Sequence, residues 1–175
     1  MKKFRIEILT FIAFALAATT GLAQPQNLSG WRAFAEGGAE VELASDPIPP
    51  VPDGQGTDSL RLTVKRTGKR FGIVCADMQK VKLRAGQWYD LSFNARTDTR
   101  KTFALTVSLE NADGKKVAAR TTLPEVGKTD WTHYTVALHI RQPVSKCQLV
   151  IALADTGSLW LNNVSVVLRK TNKTN

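Results

Sequence analysis

Histidine and cysteine are scarce in this chain, with two of each among 175 residues. His133 and His139 would share one face of an extended strand, yet lie roughly 20 Å apart at ~3.3 Å per residue, too far to hold one metal ion together. Neither Cys75 nor Cys147 stands in a C-x-x-C pair or a known nucleophile context. No G-x-S-x-G stretch supplies a nucleophile elbow. Acids are present, among them Asp77, Asp90, Glu110 and Asp155, but no pattern pairs two of them as glycoside hydrolysis requires. The expectation is a protein that is not an enzyme. A run of five or more Lys/Arg is also missing, and no nucleic-acid-binding motif fits, so the expectation is no nucleic-acid partner. No internal repeat is found. Apart from one N-terminal segment, no stretch keeps a helical period over three turns, and none approaches the roughly 20 apolar residues of a membrane span.

That N-terminal segment reads as a secretory signal peptide. Lys2, Lys3 and Arg5 precede an apolar run from Ile8 to Ala18, and the small residues Gly21 and Ala23 mark a cleavage site after Ala23. No Cys follows the run, which speaks against a lipid anchor. The expected organisation is a signal peptide at 1–23, one domain at 24–169 and a polar tail at 170–175. The expected location is secreted or periplasmic, with no membrane span after cleavage. Export and an even cysteine count make a Cys75–Cys147 disulfide the default, provided the two Cα atoms come within about 4.4–6.8 Å. The chain carries 24 Lys+Arg against 15 Asp+Glu, a formal net charge of +9. Such a surface favours acidic partners, an acidic polysaccharide included.

Period-two alternation dominates after residue 40. "SLRLTVKR" sets Leu60, Leu62 and Val64 on one face. "WYDLSFNAR" sets Tyr89, Leu91, Phe93 and Ala95 opposite Trp88, Asp90 and Arg96. "TFALTVSLE" turns Phe103, Leu105, Val107 and Leu109 inward and Thr106, Ser108 and Glu110 outward, and "NADGKK" is a hairpin turn. "KCQLVIAL" and "TGSLWLNNVSVVL" close the series, while "KVKLRAGQ" reads as a short strand into a turn. Many short alternating segments predict an all-β, two-sheet antiparallel β-sandwich.

The succession "NLSGWRAF", "SLRLTV", "AGQWYDLSFNAR", "KTDWTHYTVAL" and "CQLVIALADTGSLWLNNVSVV" resembles the carbohydrate-binding modules of cellulases and xylanases, families four, nine and twenty-two. The resemblance covers roughly Asn27 to Leu168. It implies a galactose-binding-like jelly roll that binds polysaccharide on a sheet face or at edge loops, without catalysis, usually as an accessory to a glycoside hydrolase. Many members hold a structural Ca²⁺. Here Asn162 and Asn163 stand where acids are common, which leaves less charge for the ion. Where members carry a sugar-contacting Trp and Gln, this chain has Phe71 and Cys75.

Sugars offer apolar C–H faces to aromatic rings and hydroxyl edges to planar polar groups. Trp160 and Trp88 fall opposite the core residues of their strands, and Asn162 shares the face of Trp160. Arg70 and Phe71, at the end of the basic "KRTGKR" turn, would form a cationic, stacking lip. The candidate ligand-binding set is therefore Trp160, Asn162, Phe71, Arg70 and Trp88. The competing expectation for Trp160 is a ring covered by the chain itself. The competing function is a structural or interaction module of the same fold with no sugar site, packed on an envelope protein or a wall polymer.

Overall fold

Alternation along each strand has a direct counterpart in the computed structural model, which describes residues 30–46, 59–75, 78, 83–98, 102–142 and 146–169. Ten strands are formed: β1 (Trp31–Glu36), β2 (Glu40–Asp46), β3 (Ser59–Arg66), β4 (Arg70–Cys75), β5 (Trp88–Thr97), β6 (Phe103–Asn111), β7 (Val117–Val126), β8 (Thr132–His139), β9 (Cys147–Leu153) and β10 (Gly157–Leu168). They make two five-stranded sheets, β1-β4-β9-β6-β7 and β2-β3-β10-β5-β8, and every pairing is antiparallel. The expected β-sandwich of jelly-roll type is what the chain forms. The signal-peptide segment and the tail at 170–175 lie outside the described residues. Residues 83–87 of "KVKLRAGQ" are turn and coil.

Each strand turns one side to a common core. Leu62 and Val64 come from β3, Leu91 and Phe93 from β5, Leu105 and Val107 from β6, and Leu149 and Ile151 from β9; all are buried in one cluster. Each such side chain contributes roughly 1.5–3 kcal/mol on burial. The two tyrosines reach the core while keeping their hydroxyls satisfied. Tyr89 Oη accepts from the Arg84 amide at 3.1 Å, and Tyr134 Oη accepts from the Gly127 amide at 2.9 Å. Trp31 packs against the same core.

Two sequence expectations fail here. Phe71 is an inward core residue, 3% exposed, not part of a surface lip. "FGIVC" is apolar on both faces, so the period could not say which side points in; pairing of Phe71 with Ala35 and Ile73 with Ile151 settles it. The Cys75–Cys147 disulfide is also not formed. Cys75 stands opposite Leu149, so Cys147 is its diagonal neighbour. Diagonal positions lie roughly 7–8 Å apart, beyond the reach of an unstrained bridge. Both thiols are buried in the core.

Candidate functional site

The outward positions of the first sheet form a shallow groove of about 150 Å³. Alternation in β1 turns Ala33 to the core, and Arg32, Phe34 and Glu36 to the groove. β4 adds Arg70 and Val74, β9 adds Gln148 and Val150, and β6 adds Glu110. The wall is the β6–β7 turn, where Ala112, Asp113 and Gly114 rise beside the groove. This turn is held by its own bonds: the Gly114 amide donates to Asn111 O at 2.9 Å, and the Lys116 amide donates to Asn111 Oδ1 at 2.8 Å. Gly114 has φ 70°, a left-handed conformation that costs glycine nothing.

Arg70 lies across the groove. Its guanidinium sits 5.2 Å from the centre of the Phe34 ring and its Nη2 donates to Glu110 Oε1 at 2.5 Å. Glu110 is 1% exposed, and its second oxygen, Oε2, is buried with no hydrogen-bond partner. Beside it Gln148 Nε2 donates to Asn111 O at 3.3 Å. The groove thus joins one aromatic face, two guanidinium groups, an amide and a carboxylate oxygen awaiting a donor. Asp113, at the rim, has its carboxyl held below the usual carboxylate range, first by the Lys115 amide that donates to it at 2.9 Å.

Of the candidate ligand-binding residues named from sequence, only Arg70 lies in this groove. Trp160 lies on the outer face of the other sheet, as expected, but it is 6% exposed. Its indole N–H donates to Asp46 Oδ2 at 3.1 Å and the Arg96 guanidinium covers the ring at 5.1 Å. That arrangement corrects the ligand-contact expectation: the chain's own polar groups occupy the ring. Asn162, one pleat along, is equally buried. Trp88 is 42% exposed and stacks on His139, far from the groove in the fold because it belongs to the second sheet. The cationic lip is absent too. Arg61 pairs with Asp46, Lys65 with Glu42 and Arg66 with Glu40, while Arg70 turns to Glu110. Among the described residues, no three His, Cys, Asp or Glu side chains gather as a metal cage. Asn162 is buried and Asn163 is exposed.

Phe34, Arg32 and Gln148 were missed by sequence reasoning. The signal was present in "WRAFAE", which alternates, but it precedes the region where alternation becomes regular. Glu110 was placed outward, without a partner to mark it.

The family model for a carbohydrate binding domain matches residues 19–158. The chain belongs to this family. Among solved structures, the chain is similar to an arabinose-bound α-L-arabinofuranosidase, with a TM-score of 0.68, 19% identity and coverage of 84% of this chain and 25% of that one. The chain thus spans about a quarter of the length of that structure. It is also similar to a CBM4 structure, with a TM-score of 0.57, 16% identity and coverage of 83% and 92%. A third is the CBM22-1 xylan-binding domain of Paenibacillus barcinonensis Xyn10C, with a TM-score of 0.54, 18% identity and coverage of 81% and 87%. At these identities the likeness is one of fold. No protein of curated function matches the sequence.

Proposed function

We infer that this chain is an exported, non-catalytic module that binds a neutral polysaccharide along the groove of the first sheet. One observation carries the reading: Glu110 Oε2, buried and without a hydrogen-bond donor, faces the same depression as Phe34, Arg70 and Gln148. A carbohydrate-binding family has a use for such an oxygen, because a sugar hydroxyl can donate to it while a ring face lies on the aromatic. The charges of the groove nearly cancel, with Arg32 and Arg70 against Glu36, Glu110 and Asp113. That balance supports a neutral chain over the acidic one suggested by net charge. The carboxylates do not make it a hydrolase. A glycosidase needs one carboxyl that keeps its proton near neutral pH. Asp113, the carboxyl at the rim, is held below the usual range instead.

The test is affinity electrophoresis of the chain in gels containing a neutral xylan, a neutral mixed-linkage glucan or polygalacturonate, at low and high salt. The expected result is retention by a neutral polymer that persists in salt and is clearly weakened in Phe34→Ala and Glu110→Gln. Retention by polygalacturonate alone, vanishing in salt, would move the binding from the groove to the basic surface. No retention in any gel would favour the interaction-module reading.

A further inference from the structure

The large hydrophobic side chains that stay exposed among the described residues are Trp88 at 42%, Val167 at 55% and Leu168 at 50%. They are not scattered. β10 runs beside β5 with Leu168 opposite Tyr89 and Val167 opposite Asp90, and the Arg169 amide donates to Trp88 O at 2.9 Å. Trp88 and Val167 therefore share the outer face at the end of the second sheet, away from the groove, while Leu168, opposite the inward Tyr89, lies on the other face. Isolated exposed apolar residues are ordinary; an exposed tryptophan with an exposed valine beside it on one face is not.

The patch has a defined composition. Trp88 is braced by His139, directly opposite on β8, with ring centroids 4.7 Å apart and planes 26° apart. Arg169 is tied to Asp90 twice, through Nε at 2.8 Å and Nη2 at 2.5 Å. Next along the same face, Ser92 Oγ and Ser165 Oγ share a hydrogen bond of 2.8 Å, and Thr135 stands opposite Ser92. The surface is a rigid aromatic followed by a charge-compensated pair and then hydroxyls.

We propose that this Trp88–His139 platform is a second glycan-binding site, taking the apolar face of a neutral sugar ring on Trp88 with hydroxyls directed at Asp90, Arg169 and the serines. Size excludes the main competitor. Two half-exposed side chains on one face, Trp88 and Val167, offer on the order of 200 Å² of apolar area, whereas a stable protein partner covers about 800 Å² on each side. A sugar ring or two needs only the smaller area. Charge favours a neutral polymer, because among the described residues of the patch the Arg169 guanidinium and the Asp90 carboxylate neutralise each other. Preordering by the His139 stack and the Arg169–Asp90 bridge limits the side-chain entropy lost on binding. The site is independent of the groove, since the two lie on different sheets, and it stands or falls separately.

The experiment measures acrylamide quenching of tryptophan fluorescence in the full chain, with and without the same xylan and mixed-linkage glucan. It is repeated in Trp88→Ala and in the groove variant Phe34→Ala. The expected result is that a polysaccharide shields about one exposed tryptophan in the wild type and in Phe34→Ala, and that this shielding is absent in Trp88→Ala. Retention on insoluble xylan should fall about threefold or more in Trp88→Ala while groove binding in solution persists. Unchanged quenching with every polymer would overturn the second site and leave the groove reading untouched. Loss of all binding in Phe34→Ala, with Trp88→Ala behaving as wild type, would do the same. If Trp88→Ala instead converts a dimer to a monomer in sedimentation, the patch is a contact between copies and the proposal fails. Trp88 is exposed, so its removal leaves the core intact; circular dichroism checks this, and Trp88→Phe should restore part of the shielding of the platform as read by retention.

Discussion

Arg70 donates to Glu110 from across the groove, joining β4 to β6 over the intervening strand β9. One member of this pair is nearly inaccessible and the other is about one-third exposed. Removing the cation would strand a buried carboxylate, a cost that exceeds what the pair itself contributes. Arg70→Ala should therefore lower unfolding stability by about 2 kcal/mol and uncover Phe34 at the same time. Glu110→Gln should cost less, because a neutral amide needs no counter-charge. Urea unfolding of both single variants and the double variant measures this. Strictly additive losses would mean the two groups do not act together.

Phe34 and Phe71 separate binding from folding. Phe71 lies in the core, so Phe71→Ala should cost about 3–5 kcal/mol. Phe34 is a groove residue, so Phe34→Ala should cost only about 1 kcal/mol through its lost stacking with Arg70 and should reduce glycan affinity about tenfold. Thermal unfolding and affinity electrophoresis, run side by side, give the comparison. Equal stability losses at the two positions would contradict the assignment of faces.

Trp160 should behave as a structural residue. Trp160→Phe keeps most of the ring but leaves Asp46 without the indole donor, so stability should drop by about 1–2 kcal/mol. Polysaccharide retention should stay at the wild-type value. A selective loss of retention, with stability intact, would return Trp160 to the ligand-contact role suggested by its strand pattern.

The cysteines predict two responses. With no bridge between them, a reductant should leave the melting temperature unchanged. Burial, and secondarily the charge of Glu110, pushes the Cys147 thiol up to about 11 from an ordinary value of 9.0. The folded chain then holds a proton that the unfolded chain releases between these two values. This contribution is fully present below pH 9 and is lost as pH rises towards 11, at up to about 1.4 kcal/mol per pH unit. Urea midpoints at pH 8 and pH 10, for wild type and Cys147→Ala, test the sign. The wild type should lose about 1 kcal/mol more than the variant.

The sandwich was legible because most strands are apolar on one side only. Tyr89, Leu91, Phe93 and Ala95 could point only to a core, and Glu110 only away from it. Pattern failed where that asymmetry is weak. In "FGIVC" both faces are apolar, so Phe71 and Arg70 were assigned to one lip although pleating sends them to opposite sides. It failed again for Trp160. Alternation located the face correctly, but the cover over that ring comes from Asp46 and Arg96, which are distant in sequence and unite only through strand pairing. The groove needed four strands to be placed side by side before Phe34, Gln148 and Glu110 could be read as one set.

Asn163 adopts a left-handed φ of 52°, and the pairing of β10 with β5 slips between Asn162 and Ser165. Before the slip, Leu159 and Leu161 face inward; after it, Val164 and Val166 do. The strand thus changes parity, from odd residues inside to even ones. Had the count continued unbroken, Val167 would face the core and Val166 would face solvent. The exposed valine beside Trp88 is a product of this single inserted residue, so the character of one end of the molecule is decided by backbone arithmetic several residues upstream of it.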